Sequence, residues 1–308
     1  MAATIGTETL FALLLSCFVF FFLKSTQTRL THHLLLSALF LALSALCRPI
    51  SLYLFVGYPL FLMVARDEPW SRVKWIPVMG LLLCGPWFLR NSVVFGTGFY
   101  SSVSSINLLF HTAAGVLAKE NKSSRYAEEQ HMRTHLLGDL NFQQPEAIPI
   151  FQHRADSVFM SVAKKYPATF AALWAKGFVY FFVKPMRSYI DQQIGFNTQF
   201  QPAAPVGAPY SAILTAPWWQ SSSKITLAAV GIQVIWLAGV VLGLCLILIR
   251  LRPTESTLIF LLGLLLYFAC ISALTETDAR LRMPIHGILV ILAAMGWSQK
   301  FSLKNKNP

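Results

Sequence analysis

Apolar residues in this chain come in long, nearly unbroken runs rather than in the spaced stripe of a water-soluble helix or the alternation of a half-buried strand. A first group comprises Leu10–Leu23, Leu34–Leu46, Ile50–Ala65 and Trp75–Leu89; a second comprises Ile225–Ile249, Leu258–Leu274 and Ile285–Trp297. A helix crossing the hydrocarbon core needs about 20 apolar residues, with roughly 17 as the low end. Ile225–Ile249 meets that by itself. The other runs do so with flanking Thr, Ser and Gly or with snorkelling basic residues. The pattern predicts an all-α polytopic membrane protein with about seven transmembrane helices. Met1–Leu23 is read as a retained first span: it has no basic leader, Glu8 precedes its apolar run, and no small-x-small cleavage site follows.

Between the groups the chain is far more polar. Four N-terminal spans (1–89) and three C-terminal spans (225–308) therefore bracket a mainly helical loop region, 90–224. Within it, Phe196–Ser223 is rich in Pro, Ala, Ser and Gln and reads as a loop. Ala168–Val183 is apolar but interrupted by Lys176 and bounded by Pro167 and Pro185, so it reads as an interfacial helix or an eighth span.

Composition agrees with the pattern. Hydrophobic residues make up 55% of the chain and charged ones only 12%, about half the roughly 25% of soluble domains. Mean hydropathy is +0.56. Disorder and a soluble nucleic-acid binder are poor fits. The net charge of +12 is explained largely by topology. With Ala168–Val183 left at the interface, one side receives Lys24, Arg29, Arg66, Arg72, Lys74, Arg250, Arg252, Lys300, Lys304 and Lys306. The opposite short loops receive Arg48, Arg280 and Arg282. The positive-inside rule then puts the C-terminus in the cytoplasm and 90–224 outside it, in what is expected to be a bacterial cytoplasmic membrane. The five cysteines sit in apolar runs without CxxC spacing and read as small hydrophobes.

Three segments hold candidate chemistry. In Leu46-Cys47-Arg48-Pro49 the arginine either snorkels to headgroups or lines a site for an anionic one. Pro86-Trp87-Phe88-Leu89-Arg90-Asn91 ends the fourth span with ordinary membrane anchors, but on the side where arginine is disfavoured. The following Ser101–Leu108, with Asn107, offers hydroxyls and backbone NH groups, and Leu109–Ala118 is apolar enough to lie against the membrane. Finally, Glu276–Pro284 opens the last span. Glu276–Arg280 and Asp278–Arg282 are either neutralising i,i+4 pairs or part of a phosphate clamp at the mouth of a nearly charge-free bundle. His131 and His135 share i,i+4 spacing but lack the Glu of a zinc helix, so no metal and no other cofactor is expected. Asn121-Lys122-Ser123 is a formal glycosylation sequon.

Taken in order, four blocks resemble the C-terminal portion of a C-type superfamily membrane glycosyltransferase. The group meant is that of the dolichyl-phosphate-mannose protein mannosyltransferases and the aminoarabinose transferases. The blocks are Thr7-Glu8-Thr9-Leu10-Phe11, Leu46-Cys47-Arg48-Pro49, Pro86–Asn91 with Phe95-Gly96 and Asn107-Leu108, and Glu276–Pro284, where His286-Gly287 replaces a common second Pro. The resemblance implies transfer of a sugar from a polyprenyl-phosphate carrier to an extracytoplasmic acceptor. It implies that Arg280 and Arg282, with Arg90 and Arg48, meet the charge growing on the departing lipid phosphate, while Asn91, Asn107 and Glu276 face sugar or acceptor. The family's acceptor-activating carboxylate lies in a loop near the start of the longer enzyme. Glu8 matches a different position, so no catalytic residue is assigned. The expectation is an incomplete enzyme, either a truncated reading frame or a chain that pairs with a separate N-terminal half. A non-catalytic lipid-carrier-binding or polysaccharide-assembly membrane protein is the alternative. A small transporter fits less well, because the spans lack mid-helix charges and paired broken helices.

Overall fold

The computed structural model describes residues 7–184, 224–250, 256–274 and 279–304. Among them, every regular element is helical. The first are α1 (Thr7–Thr28), α2 (Thr31–Cys47), α3 (Leu54–Arg66), α4 (Trp70–Val73) and α5 (Trp75–Phe95). Next come α6 (Val103–Ile106), a π-helical stretch (Asn107–Ala113), α7 (Ala114–Glu120), α8 (Arg125–Leu137), α9 (Ala147–Lys165) and α10 (Pro167–Val183). The last are α11 (Lys224–Arg250), α12 (Ser256–Ala273) and α13 (His286–Lys304), with 3₁₀ turns at Pro49–Tyr53 and Ala279–Ile285. The loop expected at Phe196–Ser223 lies outside the described residues.

The chain is an all-α polytopic membrane protein. Among the described residues, five helical stretches are long and apolar enough to span a bilayer: Thr7–Thr28, Pro49–Arg66, Trp70–Phe95, Ala228–Ile249 and Ser256–Ala273. The other two expected spans are apolar but shorter, Thr31–Cys47 and Arg282–Ser298. A helix of that length reaches about 25 Å, short of the roughly 30 Å of hydrocarbon, so these two depend on neighbours to cover their ends. The fourth span continues past Leu89 to Phe95, tolerating Pro86 within it.

Two compact units are formed: residues 1–101 with 242–268 and 282–308, and residues 102–241 with 269–281. Residues 242–268 and those from 282 onward thus group with the N-terminal helices, and the division cuts through both α11 and α12.

In the first unit, helix ends follow local chemistry. Pro49 disfavours helix at the residue before it, and Arg48 is extended (φ −143°, ψ 121°), breaking α2 from the 3₁₀ turn and α3. Left-handed Arg29 (φ 55°), Asp67 (φ 49°) and Gly96 (φ 71°) close α1, α3 and α5. The core between α1, α3 and α12 is aromatic. Phe22 stacks on Phe260 with centroids 3.8 Å apart, and Tyr58 meets Phe18 and Phe22 edge-on at 5.3 and 5.4 Å. Such pairs contribute about 0.5–1.5 kcal/mol each beyond burial. Arg66 ties one end of this core, donating to the Ser256 hydroxyl at 2.6 Å and the Thr26 carbonyl at 3.0 Å. At the other end the Tyr267 hydroxyl donates to the Ile50 carbonyl. Hence α1 and α2 run in opposite directions, as do α3 and α12.

Helices α11 and α13 cross at glycines. A Cβ on Gly296 would collide with the Gly243 carbonyl oxygen, and one on Gly243 would lie 2.5 Å from that of Ala293. Small residues allow this backbone approach, which replaces a hydrophobic driving force absent in lipid.

The second unit has its own core, Leu109, Phe110, Ala113, Met132, Phe151 and Ala155 among its members. The segment Leu109–Ala118, apolar enough to lie against the membrane, runs through this core, where its apolar side chains pack against α8 and α9. On its surface Arg154 clamps Asp139 at 2.6 and 2.8 Å. These hydrogen bonds hold the Asp139 carboxyl below its usual range. The contribution is therefore present above the ordinary carboxyl pKa of about 3.9 and is lost as pH falls through the lowered value.

Gly296→Val should lower the thermal midpoint of the purified protein, since forced overpacking costs about 1–3 kcal/mol or more. Gly239→Ala, on α11 with nothing within 4 Å of the added carbon, should leave it unchanged or slightly raised.

Candidate functional site

The candidate site is the end of the first unit at which α1 begins and α2 stops. Glu8 lies in the first turn of α1, and Arg48 immediately follows α2. Each charge opposes the partial charge of its helix end, so both placements are favourable. The two side chains meet in an ion pair of 2.5 Å, about a quarter exposed on each side. Arg48 also reaches the Thr7 hydroxyl at 3.4 Å and lies over the Phe11 ring at 5.9 Å. Two of the blocks picked out in the sequence, far apart in the chain, are thus joined by their charged members. The pair itself was not foreseen. Its signal was an acid opening one span and a base ending the next.

The block Pro86–Gly96 does two things. Gly96 ends α5 in a left-handed conformation that a side chain would strain. The chain then folds back, and Asn91, only 2% exposed, donates to the carbonyls of Phe99 and Tyr100, both at 3.2 Å. Trp87 Nε1 donates to the same Tyr100 carbonyl at 3.0 Å. Both amide hydrogens of Asn91 thereby serve the turn, and its oxygen accepts from Arg90 at 3.0 Å. Arg90 itself is exposed and lies over the rings of Trp87 and Phe95 at 5.2 and 5.6 Å. The block is a capped helix end that presents one cation, with its asparagine buried beneath.

Arg282 is wholly buried, at 0% exposure, in the 3₁₀ turn before α13. Because Arg66 binds Ser256 and Tyr267 binds Ile50, α12 runs toward the Arg48 end, and Arg282 follows it in the chain. A guanidinium so placed in an apolar bundle is costly and persists only when its donors are matched. Arg280 has its backbone in the same turn, but its side chain, like all of Glu276 and Asp278, lies outside the described residues.

Asn107 belongs to the second unit, where it opens the π-helical stretch. Thr112, in the wide π turn, donates to the Leu274 carbonyl, and Trp174 Nε1 donates to the Cys270 carbonyl at 3.1 Å. These carbonyls lie in the last turn of α12 and just past its end, where backbone acceptors need such partners. Gly177 completes the cradle: a Cβ there would meet the Ala273 carbonyl oxygen at 2.5 Å. Nothing in the sequence announced this cradle, which fixes the start of the segment leading to Glu276 and Arg280. The adjoining cleft of His111, Phe170 and Leu173 has a cavity of about 20 Å³, room for a single water. His131 and His135 are exposed on α8, and among the described residues no group of three or more His, Cys, Asp or Glu could hold a metal.

No protein-family model matches the chain, and neither curated proteins nor solved structures include one similar to it.

A double-mutant cycle on Glu8→Gln and Arg48→Gln should return a coupling of about 0.5–3 kcal/mol in thermal or denaturant unfolding. Additive single effects would show that the ion pair contributes nothing to stability.

Proposed function

We propose that the chain forms the lipid-phosphate side of a membrane glycosyltransferase site, at which a sugar leaves a polyprenyl-phosphate carrier for an extracytoplasmic acceptor. The observation that carries this reading is Arg282, a fully buried cation at the start of a membrane helix, following α12 toward the end where Arg48 stands. The resemblance of four sequence blocks to such enzymes supports it, and two of those blocks meet through Glu8 and Arg48. The charge count, which assigns this end and residues 90–224 to the extracytoplasmic side of a bacterial cytoplasmic membrane, supports the orientation.

The chemistry asked of the arginines is electrostatic. When the glycosidic C–O bond to the phosphate breaks, negative charge grows on the departing oxygens. A guanidinium already desolvated and fixed needs no reorganisation to meet it. Arg280 and Arg282 are the cations proposed to meet that charge, with Arg48 and Arg90 as further candidates. The reading assigns no general base.

A second reading is binding of the carrier without turnover. It is favoured by Glu8, which is engaged with Arg48 rather than held apart as a base would be.

Purified full-length protein should bind polyprenyl phosphate, and Arg282→Ala should weaken binding at least about tenfold. Arg282→Lys keeps the charge without the planar fork, and should fold normally yet bind more weakly. Retained wild-type affinity in both would remove Arg282 from the site. Sugar release from a labelled polyprenyl-phosphate sugar by the wild-type chain complemented with the separate N-terminal half that the resemblance implies, abolished in Arg280→Ala and Arg282→Ala, separates the enzyme from the mere binder.

A further inference from the structure

At the opposite end of the first unit, exposed cations and tryptophans lie together. The loop between α1 and α2 holds just Arg29 and Leu30, and left-handed Arg29 stands exposed at its apex. Lys24, exposed in the last turns of α1, holds its ammonium over the Phe20 ring at 5.9 Å. The turn from α3 to α5 is packed beside them, because Arg66 binds the Thr26 carbonyl and Arg72 the Ser25 carbonyl at 3.4 Å. From that turn Trp70 is 56% and Trp75 44% exposed, and exposed Lys74 lies over Trp75 at 5.7 Å.

The arrangement separates two kinds of cation. Arg66 and Arg72 are inward and occupied: Arg72 pairs with Glu68 at 2.6 Å, and Arg66 spends its donors on Thr26 and Ser256. Lys24, Arg29 and Lys74 are exposed, and each of the two lysines holds its ammonium over an aromatic ring, a cation–π contact that leaves the charge accessible to an anion at the headgroup level. Indole rings exposed beside them favour the same depth. A water-facing surface would not gain from two exposed tryptophans, whereas a bilayer interface would.

We propose that this rim, formed by the α1–α2 loop and the α3–α5 turn, is a docking surface for anionic phospholipid headgroups. The complementarity is of charge, cations against lipid phosphates, with Trp70 and Trp75 setting the depth. Each basic residue at such a surface contributes on the order of fivefold to binding, and salt screens the effect. The proposal concerns the end away from Arg48 and is independent of any sugar transfer.

The test uses the full-length chain in nanodiscs of phosphatidylcholine with or without phosphatidylglycerol. Expected is a higher thermal midpoint with phosphatidylglycerol, together with its preferential retention in native mass spectrometry, both reduced by high salt. The triple variant Lys24→Gln, Arg29→Gln, Lys74→Gln should keep the wild-type midpoint in pure phosphatidylcholine, which shows that it is folded, and lose the preference. Removing one cation should cost about fivefold in retention. Equal behaviour in the two lipids overturns the proposal, as does a triple variant that still prefers phosphatidylglycerol. So does inorganic phosphate reproducing the full shift in pure phosphatidylcholine, because the site would then be one for a free anion.

Discussion

A charge inside a bilayer must either reach the interface or meet a partner, and this constraint orders the whole first unit. Its apolar helices cannot hold it together by hydrophobic burial against lipid, since lipid is as apolar as they are. Aromatic contact around Phe22, Tyr58 and Phe260, the glycine crossing of α11 and α13, and a few charged ties at the two ends take that role. The ties differ by end. Arg66 and Arg72 bind carbonyls, a hydroxyl and Glu68 at one. Arg48 binds Glu8 at the other, toward which α12 and then Arg282 run.

That asymmetry is what links fold to chemistry. An end whose cations are exposed and fringed by tryptophan suits headgroups in bulk. An end where one arginine is sealed from solvent and another is held by a single carboxylate suits one chosen anion, because desolvated donors discriminate by geometry. The Glu8–Arg48 pair also sets a cost: an anion recruiting Arg48 must compete with a carboxylate at 2.5 Å. The cradle around the end of α12, built from Thr112, Trp174 and Gly177, gives the charged segment beyond it a fixed origin.

Much of this was legible in the sequence, and the limits are physical. Unbroken apolar runs can be nothing but buried or lipid-facing helix, so the class and the helix positions were readable. Arg48-Pro49 announced a helix break because proline restricts the residue before it. Phe95-Gly96 looked like a motif and proved to be a left-handed helix stop. Composition could not tell a helix facing lipid from one facing its own core, and so it could not show that Leu109–Ala118 packs against α8 and α9. Nor could it show that Asn91 spends its amide on the turn at Phe99 and Tyr100, since that depends on where the chain returns. The cradle carbonyls carry no side-chain signal at all.

The central claim is that the two ends of the first unit lie on opposite sides of the membrane, with the Arg48 end outside. It is tested most directly by single cysteines placed in a chain whose native cysteines have been replaced. Ser71→Cys marks the basic rim, and Thr97→Cys marks the turn after α5; both positions are exposed. In intact cells, a membrane-impermeant maleimide should label Thr97→Cys and leave Ser71→Cys unlabelled until the membrane is permeabilised. Labelling of Ser71→Cys in intact cells, or protection of Thr97→Cys there, would contradict the account.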